Sequence, residues 1–240
     1  MKIWYMNGAG NDFMVMDARG GEYDFEALSV ELCKLTKADG FMAIDHSDKA
    51  DFKLHFYNSD GSRGEMCGNG ARCICRFAHD LGLVGDAMVV ETDAGLVPGW
   101  RLSETQYKVK LNNPGVPHAV FNLQSEDLWA NADALKPHFE ALRHNPAFPK
   151  GANVNAHQWL GEAEVRVLTF ERGVEDYTLA CGTGCGSTAA ALWTAGKLPG
   201  GRLLCHNRGG DLTVTIQGEN GIVTSILLEG PTEVVKIYEI

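Results

Sequence analysis

Two short segments carry residues whose order could do chemistry: Cys67-Gly68-Asn69-Gly70 and Cys181-Gly182-Thr183-Gly184. Each sets a thiol directly before a Gly-x-Gly, and each runs into a stretch that reads as helix. Ala71, Ile74, Ala78 and Leu81 fall at helical spacing after the first, with Gly82 as the stop; Ser187 to Ala195 follows the second and is rich in alanine. A helix start leaves backbone N–H groups unpaired and carries partial positive charge, so it binds anions and favours thiolate over thiol. Glycines beside the sulfur let a ligand approach that backbone closely. The helix contributes at most about 2 kcal/mol, or roughly 1.5 pKa units. That primes a thiol but does not make a base strong enough for an unactivated α-carbon. The site must also exclude water and hold a carboxylate against fixed donors as charge develops. Two such sulfurs on opposite sides of one carbon would do what inversion needs: one takes the proton from one face, the other delivers a proton to the opposite face.

The elements around the two thiols are duplicated. Phe52, Leu54 and Phe56 alternate with polar residues as in a half-buried strand, and the turn Asn58-Ser59-Asp60-Gly61-Ser62 follows. Later, Val165, Val167 and Phe170 read as strand, with Gly173 to Tyr177 as a turn. Leu54 and Leu168, Phe56 and Phe170, Cys67 and Cys181 share one offset of 114 residues. Two copies of the motif at one offset predict two similar α/β halves, each presenting a cysteine at the start of a helix that is apolar nearly all round and therefore buried. Strands are expected at Met88–Thr92, Tyr107–Leu111, Ala119–Leu123, Leu212–Ile216, Ile222–Leu228 and Glu233–Tyr238. Phe25–Leu35 and Ser125–Leu142 read as amphipathic surface helices. Asn112 to Pro117, punctuated by Pro and Gly, is the expected linker.

The 240 residues suffice for two domains that each bury a core, and 45% hydrophobic with 22% charged residues is ordinary for a globular chain. The net charge of −10 repels a phosphate backbone, so nucleic acid is not an expected partner. No apolar run approaches the roughly 18 residues of a membrane span. No signal peptide is visible at the N-terminus, so the cytoplasm is the expected location. Seven cysteines, an odd count, argue against a disulfide framework. Cys73-x-Cys75 and Cys181-x-x-x-Cys185 lack paired zinc spacing, so no metal is expected. Gly8-Ala9-Gly10 lacks the third glycine of a dinucleotide fingerprint, and Gly196-Lys197-Leu198 lacks the Ser or Thr of a phosphate loop. Pyridoxal phosphate has no short motif by which to exclude it.

At these residues the sequence resembles the diaminopimelate epimerase family. The matching stretches are Asn7 to Phe13, Asn58 to Arg72, Pro117 to Val120, Phe148 to Val154, Glu171-Arg172-Gly173, Thr178 to Gly184 and Gly209 to Leu212. The resemblance implies two pseudo-symmetric α/β (α+β) domains, each a curved, mostly antiparallel sheet wrapped around a central helix, with the active site in the interdomain cleft. Residues 1–114 with 229–240 would form the half bearing Cys67, and 115–228 the half bearing Cys181. It implies a cofactor-independent enzyme, with Cys67 and Cys181 as the acid–base pair and His118 and Glu171 setting their protonation. The backbone at Gly68-Asn69 and Gly182-Thr183 would hold the reacting carboxylate. Asn11, Asn58, Asn153 and Arg172 would contact the substrate, Arg172 at a distal carboxylate. The expected partner is a small amino acid, and a homodimer is among the assemblies open to such a chain.

Departures from the family pattern bear on the substrate's far end. Gly115-Val116-Pro117-His118 stands where Gly-Asn-Pro-His is usual. Gly40 occupies a position where a Gln can occur, and Asn155-Ala156-His157 replaces more usual apolar residues. Three rivals follow: a racemase of another amino acid such as histidine, a thiol hydrolase built on Cys67, His118 and Asn113, and a non-catalytic amino-acid-binding protein.

Overall fold

Apolar residues at every second position become strands, and the two glycine-led stretches become helices. The computed structural model describes residues 1–112 and 116–239. Asn113, Pro114 and Gly115, on which the expected linker, the 114/115 boundary and the orienting group of a hydrolase all fall, lie outside the described residues. The chain divides into two units, Met1–Asn112 with Glu229–Ile240, and Asn113–Leu228.

The first unit contains β1 (Lys2–Gly8), β2 (Asn11–Asp17), α1 (Phe25–Thr36), β3 (Gly40–Asp45), β4 (Phe52–Asn58), α2 (Gly68–Asp80), β5 (Ala87–Thr92), β6 (Gly95–Arg101), β7 (Gln106–Leu111) and the C-terminal strand Glu233–Glu239. Its sheet runs C-terminal strand, β1, β2, β3, β4, β5, β6, β7. Helix α2 touches β1, β2, β3, β6 and β7, so the sheet curls around it. Helix α1 packs on β2, β3 and β4.

The second unit contains β8 (His118–Asn122), α3 (Glu126–Ala130), α4 (Lys136–Arg143), β9 (Asn153–Gly161), β10 (Glu164–Glu171), β11 (Asp176–Tyr177), α5 (Gly182–Thr194), β12 (Arg202–Asn207), β13 (Gly210–Glu219) and most of β14 (Ile222–Pro231). The order is β14, β13, β12, β10, β9, β8, with β11 paired to β10. Helix α5 touches β8, β9, β12 and β13.

Pairing sense repeats between the units. β2/β3 is parallel, β3/β4 antiparallel, β4/β5 parallel and β5/β6 antiparallel. β8/β9, β9/β10, β10/β12 and β12/β13 follow the same alternation. The two thiol-bearing helices agree in detail. Both have 13 residues, both begin after an extended cysteine (φ −123° in each), and both end at a left-handed glycine, Gly82 and Gly196, each with φ +70°. The closures match bond for bond. Leu83 N–H donates to Ala78 C=O and Gly82 N–H to His79 C=O, as Lys197 N–H does to Leu192 C=O and Gly196 N–H to Trp193 C=O. This is the Schellman closure that a left-handed glycine permits.

Three expectations need correction. The stretch Ser125–Leu142 is not one helix but α3, a 3-10 turn at Ala132–Leu135, and α4. Pro137 explains part of the break, because its missing N–H and its ring cannot continue a helix through that point. Asn131, with φ −112° and ψ 40°, closes α3. The turn Gly173–Tyr177 ends in the two-residue strand β11. Finally, α2 is buried but not apolar all round, because Arg72 lies on it with no solvent exposure.

Candidate active site

In the first unit, Cys67 is the residue before α2, half-buried, with an extended backbone that starts the helix. Gly68 and Asn69 form the first turn behind it, both buried. Asn11, at the start of β2, accepts a hydrogen bond through Oδ1 from Asn69 Nδ2 at 2.6 Å. The structure therefore brings together two of the expected substrate residues from positions 58 apart in the chain. Their amides are oriented from both ends. Arg72 Nη1 donates to Asn69 Oδ1 at 3.0 Å, and Asn11 Nδ2 donates to Asp39 Oδ2 at 3.1 Å. A guanidinium at one end and a carboxylate at the other can be satisfied only with donors and acceptors facing this way. Arg72 and Asp39 were not among the expected residues. The spacing Asn69 to Arg72, three apart on one helix face, was a readable sign of the first; Asp39 had none. Gly8 lies against this turn so closely that a Cβ would stand 2.9 Å from both Asn69 O and Cys73 Sγ. Asn58 is exposed at the end of β4, paired with Gly40, and its Nδ2 donates to Ser62 Oγ at 2.9 Å.

In the second unit, Cys181 occupies the equivalent place before α5, but it is buried, at 6% exposure. Its sulfur accepts the Gly184 N–H at 3.3 Å and lies 3.4 Å from Thr183 Oγ1. A helix start was expected to ease ionisation. Burial instead pushes the Cys181 thiol well above its ordinary pKa, the nearby Glu171 carboxylate raises it further, and the Thr183 and Gly184 contacts offset this only in part. Desolvation outweighs the helix terminus because the helix effect is limited to about 1.5 pKa units, whereas full burial shifts a group by up to about 3–5 units. Cys181 is thus held as a thiol.

Glu171 ends β10, and Arg172 follows it in the turn. Arg172 N–H donates to Asn153 Oδ1 at 2.8 Å and Arg172 Nη1 to Lys150 O at 3.2 Å. Asn153, expected on the substrate, is buried and gives its oxygen to this turn. Glu175, with φ +56°, closes the turn by accepting from Gly173 N–H at 2.9 Å and from Arg143 Nη2 at 2.8 Å.

His118 opens β8. Its Nδ1 lies 3.0 Å from Asn155 Nδ2, and burial pushes its pKa down to about 4. Asn155 is fully buried and also contacts Thr169 Oγ1 and Ala119 O. Neither Asn155 nor Thr169 was expected at the site, although Asn155 stands two residues after Asn153 on a strand and so shares its face.

The His118 shift has a stability consequence with a definite sign. The unfolded ring binds a proton near pH 6.5 and the folded ring only near 4, so the unfolded state holds more protons between these values. Stability due to this group is complete above pH 6.5 and falls as pH drops toward 4, by about 3 kcal/mol. Urea unfolding of the wild type and His118→Gln across that range tests it. The stability difference between the two proteins should shrink toward pH 4, and a constant difference would refute the shift.

Among the described residues no helix is long and apolar enough to cross a membrane. The family model described as diaminopimelate epimerase matches residues 3–114 and 110–235, one match per half. The diaminopimelate epimerase of Flavobacterium psychrophilum is 33% identical over 98% of this chain and 98% of its own. That of Methanothrix thermoacetophila is 34% identical over 94% and 91%. Among solved structures, a PhzF-family phenazine biosynthesis protein from Bacillus anthracis superposes with a TM-score of 0.74, covering 100% of this chain and 98% of its own at 15% identity, which speaks to the fold alone. Two helices that each begin after a cysteine on duplicated sheets, matched from end to end at this level of identity, make the chain an isomerase belonging to the diaminopimelate epimerase family.

Proposed function

We propose that this chain interconverts LL- and meso-diaminopimelate, inverting one α-carbon by proton transfer between Cys67 and Cys181. Cys67, as thiolate, takes the α-hydrogen; its S–H bond forms as the C–H bond breaks and the electron pair stays on carbon. Cys181 then gives its thiol proton to the opposite face and is left as thiolate, and the reverse direction exchanges the roles. The burial and Glu171 charge that raise the Cys181 thiol support this order, because they suit Cys181 to deliver the proton. The amides of Gly68-Asn69 and Gly182-Thr183 hold the reacting carboxylate and stabilise charge as it develops. Asn11, Asn58 and Asn153 line the substrate, Arg172 meets its distal carboxylate, and His118 and Glu171 set the state of the thiols. The enzyme acts in the cytoplasm, in lysine and cell-wall precursor synthesis, and as a homodimer.

The observation that carries this reading is the pair of cysteines, each standing at the N-cap position of an equivalent buried helix of 13 residues. Incubation of single stereoisomers in heavy water, with mass and chiral analysis, is the test. Diaminopimelate should take up one deuterium at the inverted centre. Uptake by another amino acid but not by diaminopimelate would overturn the substrate, and no uptake by any of a panel would overturn the reaction.

A further inference from the structure

His118 and Asn155 form a buried unit whose hydrogen positions can be worked out. Asn155 faces three groups: its Nδ2 lies 3.0 Å from His118 Nδ1 and 3.2 Å from Ala119 O, and its Oδ1 lies 2.9 Å from Thr169 Oγ1. A backbone carbonyl can only accept, so the amide nitrogen must face Ala119. Turning the amide over would set two oxygens against each other in a dry interior. The Thr169 hydroxyl, which can rotate, donates to the amide oxygen. With the amide nitrogen so placed, His118 Nδ1 must be an acceptor and cannot carry a hydrogen. A neutral ring then carries its proton on Nε2, which is buried and has no hydrogen-bond partner among the described residues. A buried donor left unsatisfied destabilises the fold by about 1–3 kcal/mol, which an arriving acceptor would recover.

We propose that Asn155 is a positioning residue that fixes His118 as the neutral Nε2–H tautomer, so that the ring serves the reaction as a hydrogen-bond donor to an anionic acceptor and not as a base. The proposal rests on the functional reading above. Strand register supports it. Asn155 is the direct cross-strand partner of Thr169 on β10 and of Val120 on β8, so the amide is clamped between both neighbouring strands. Burial that disfavours the imidazolium acts in the same direction.

The test is Asn155→Asp, which keeps size and shape but replaces the donor at Nδ1 with an acceptor. The proton should move to Nδ1, leaving Nε2 a bare lone pair in the neutral ring. Nitrogen-15 spectra of histidine-labelled protein read this directly. The wild type should show the His118 proton on Nε2, and the variant should show it on Nδ1 with a raised titration point. Turnover of the variant should fall on the order of a hundredfold where the ring is neutral, the size seen when one donor to a developing charge is lost. It should partly recover as pH falls, because the imidazolium again carries hydrogen on Nε2. The wild type, with Nε2–H in both forms, should show no such acid recovery. If Asn155→Asp does not fold, the wild-type spectrum and Thr169→Val still decide. Thr169→Val leaves Ala119 O facing the amide nitrogen, so the His118 proton should stay on Nε2. A wild-type proton on Nδ1, or a variant with unchanged tautomer and pH profile, would overturn the proposal. A ring protonated on Nε2 in a chain that exchanges no α-hydrogen would overturn the functional reading and uphold the tautomer.

Discussion

Cys181→Ala should lower inversion of diaminopimelate at least on the order of a thousandfold, and Cys67→Ala should do the same. Each sulfur is the only proposed carrier of the proton on its face, and positioned acid–base groups contribute about 10²–10⁴ in rate. The two variants should nevertheless differ in stability. Cys181 caps α5 through its sulfur, which accepts the Gly184 N–H, whereas Cys67 makes no side-chain bond to its helix start. Losing such a cap destabilises by about 1 kcal/mol, so Cys181→Ala should unfold at lower denaturant than Cys67→Ala. The measurements are a chiral assay of turnover and urea unfolding of each variant. A hydrolase built on Cys67 and His118 would keep substantial turnover without Cys181, and retention within tenfold would sink the two-thiol reading.

The second large effect concerns a glycine. Gly184→Ala should destabilise by about 1–3 kcal/mol and lower turnover on the order of a hundredfold. A Cβ there would stand 2.5 Å from Asn155 Oδ1, 2.7 Å from Thr169 Oγ1 and 3.2 Å from Cys181 Cβ. None of these can move away freely. Asn155 is held by Ala119 and His118, Thr169 is β-branched on a central strand, and Cys181 is the cap itself. The helix start must shift instead, carrying the sulfur and the carboxylate-binding amides with it. Its equivalent, Gly70, meets Met42 Sδ at 3.0 Å and the Phe13 ring at 3.3 Å. A thioether can turn aside, and alanine is a better helix former than glycine by about 1 kcal/mol. Gly70→Ala should therefore stay within about 1 kcal/mol of wild type with turnover largely kept. Equal losses for the two variants would contradict this account of the second helix start.

Much of the fold is legible in the sequence. The 114-residue offset holds for the cysteines, for the helix ends and for the left-handed glycines Gly82 and Gly196. These are local events. A cap, a helical period and a stop glycine are written within a few neighbouring residues, so one sequence window contains the physics that makes them. The break inside Ser125–Leu142 was also local, at Asn131 and Pro137, but amphipathic spacing alone runs across it. Asp39 beside Asn11 and Thr169 beside Asn155 were not legible, because strand pairing and tight turns bring them together across the chain and no single window holds both partners.

The amino-acid order by itself determined that two thiols each begin a buried helix on duplicated sheets, since capping and periodicity act between near neighbours. Only the tertiary structure decided their electrical state. Cys181 is kept protonated by burial and by Glu171, and His118 is given its hydrogen on Nε2 by an amide on the adjacent strand. Desolvation and hydrogen-bond direction depend on every group packed around an atom, and that neighbourhood exists only once the chain has folded.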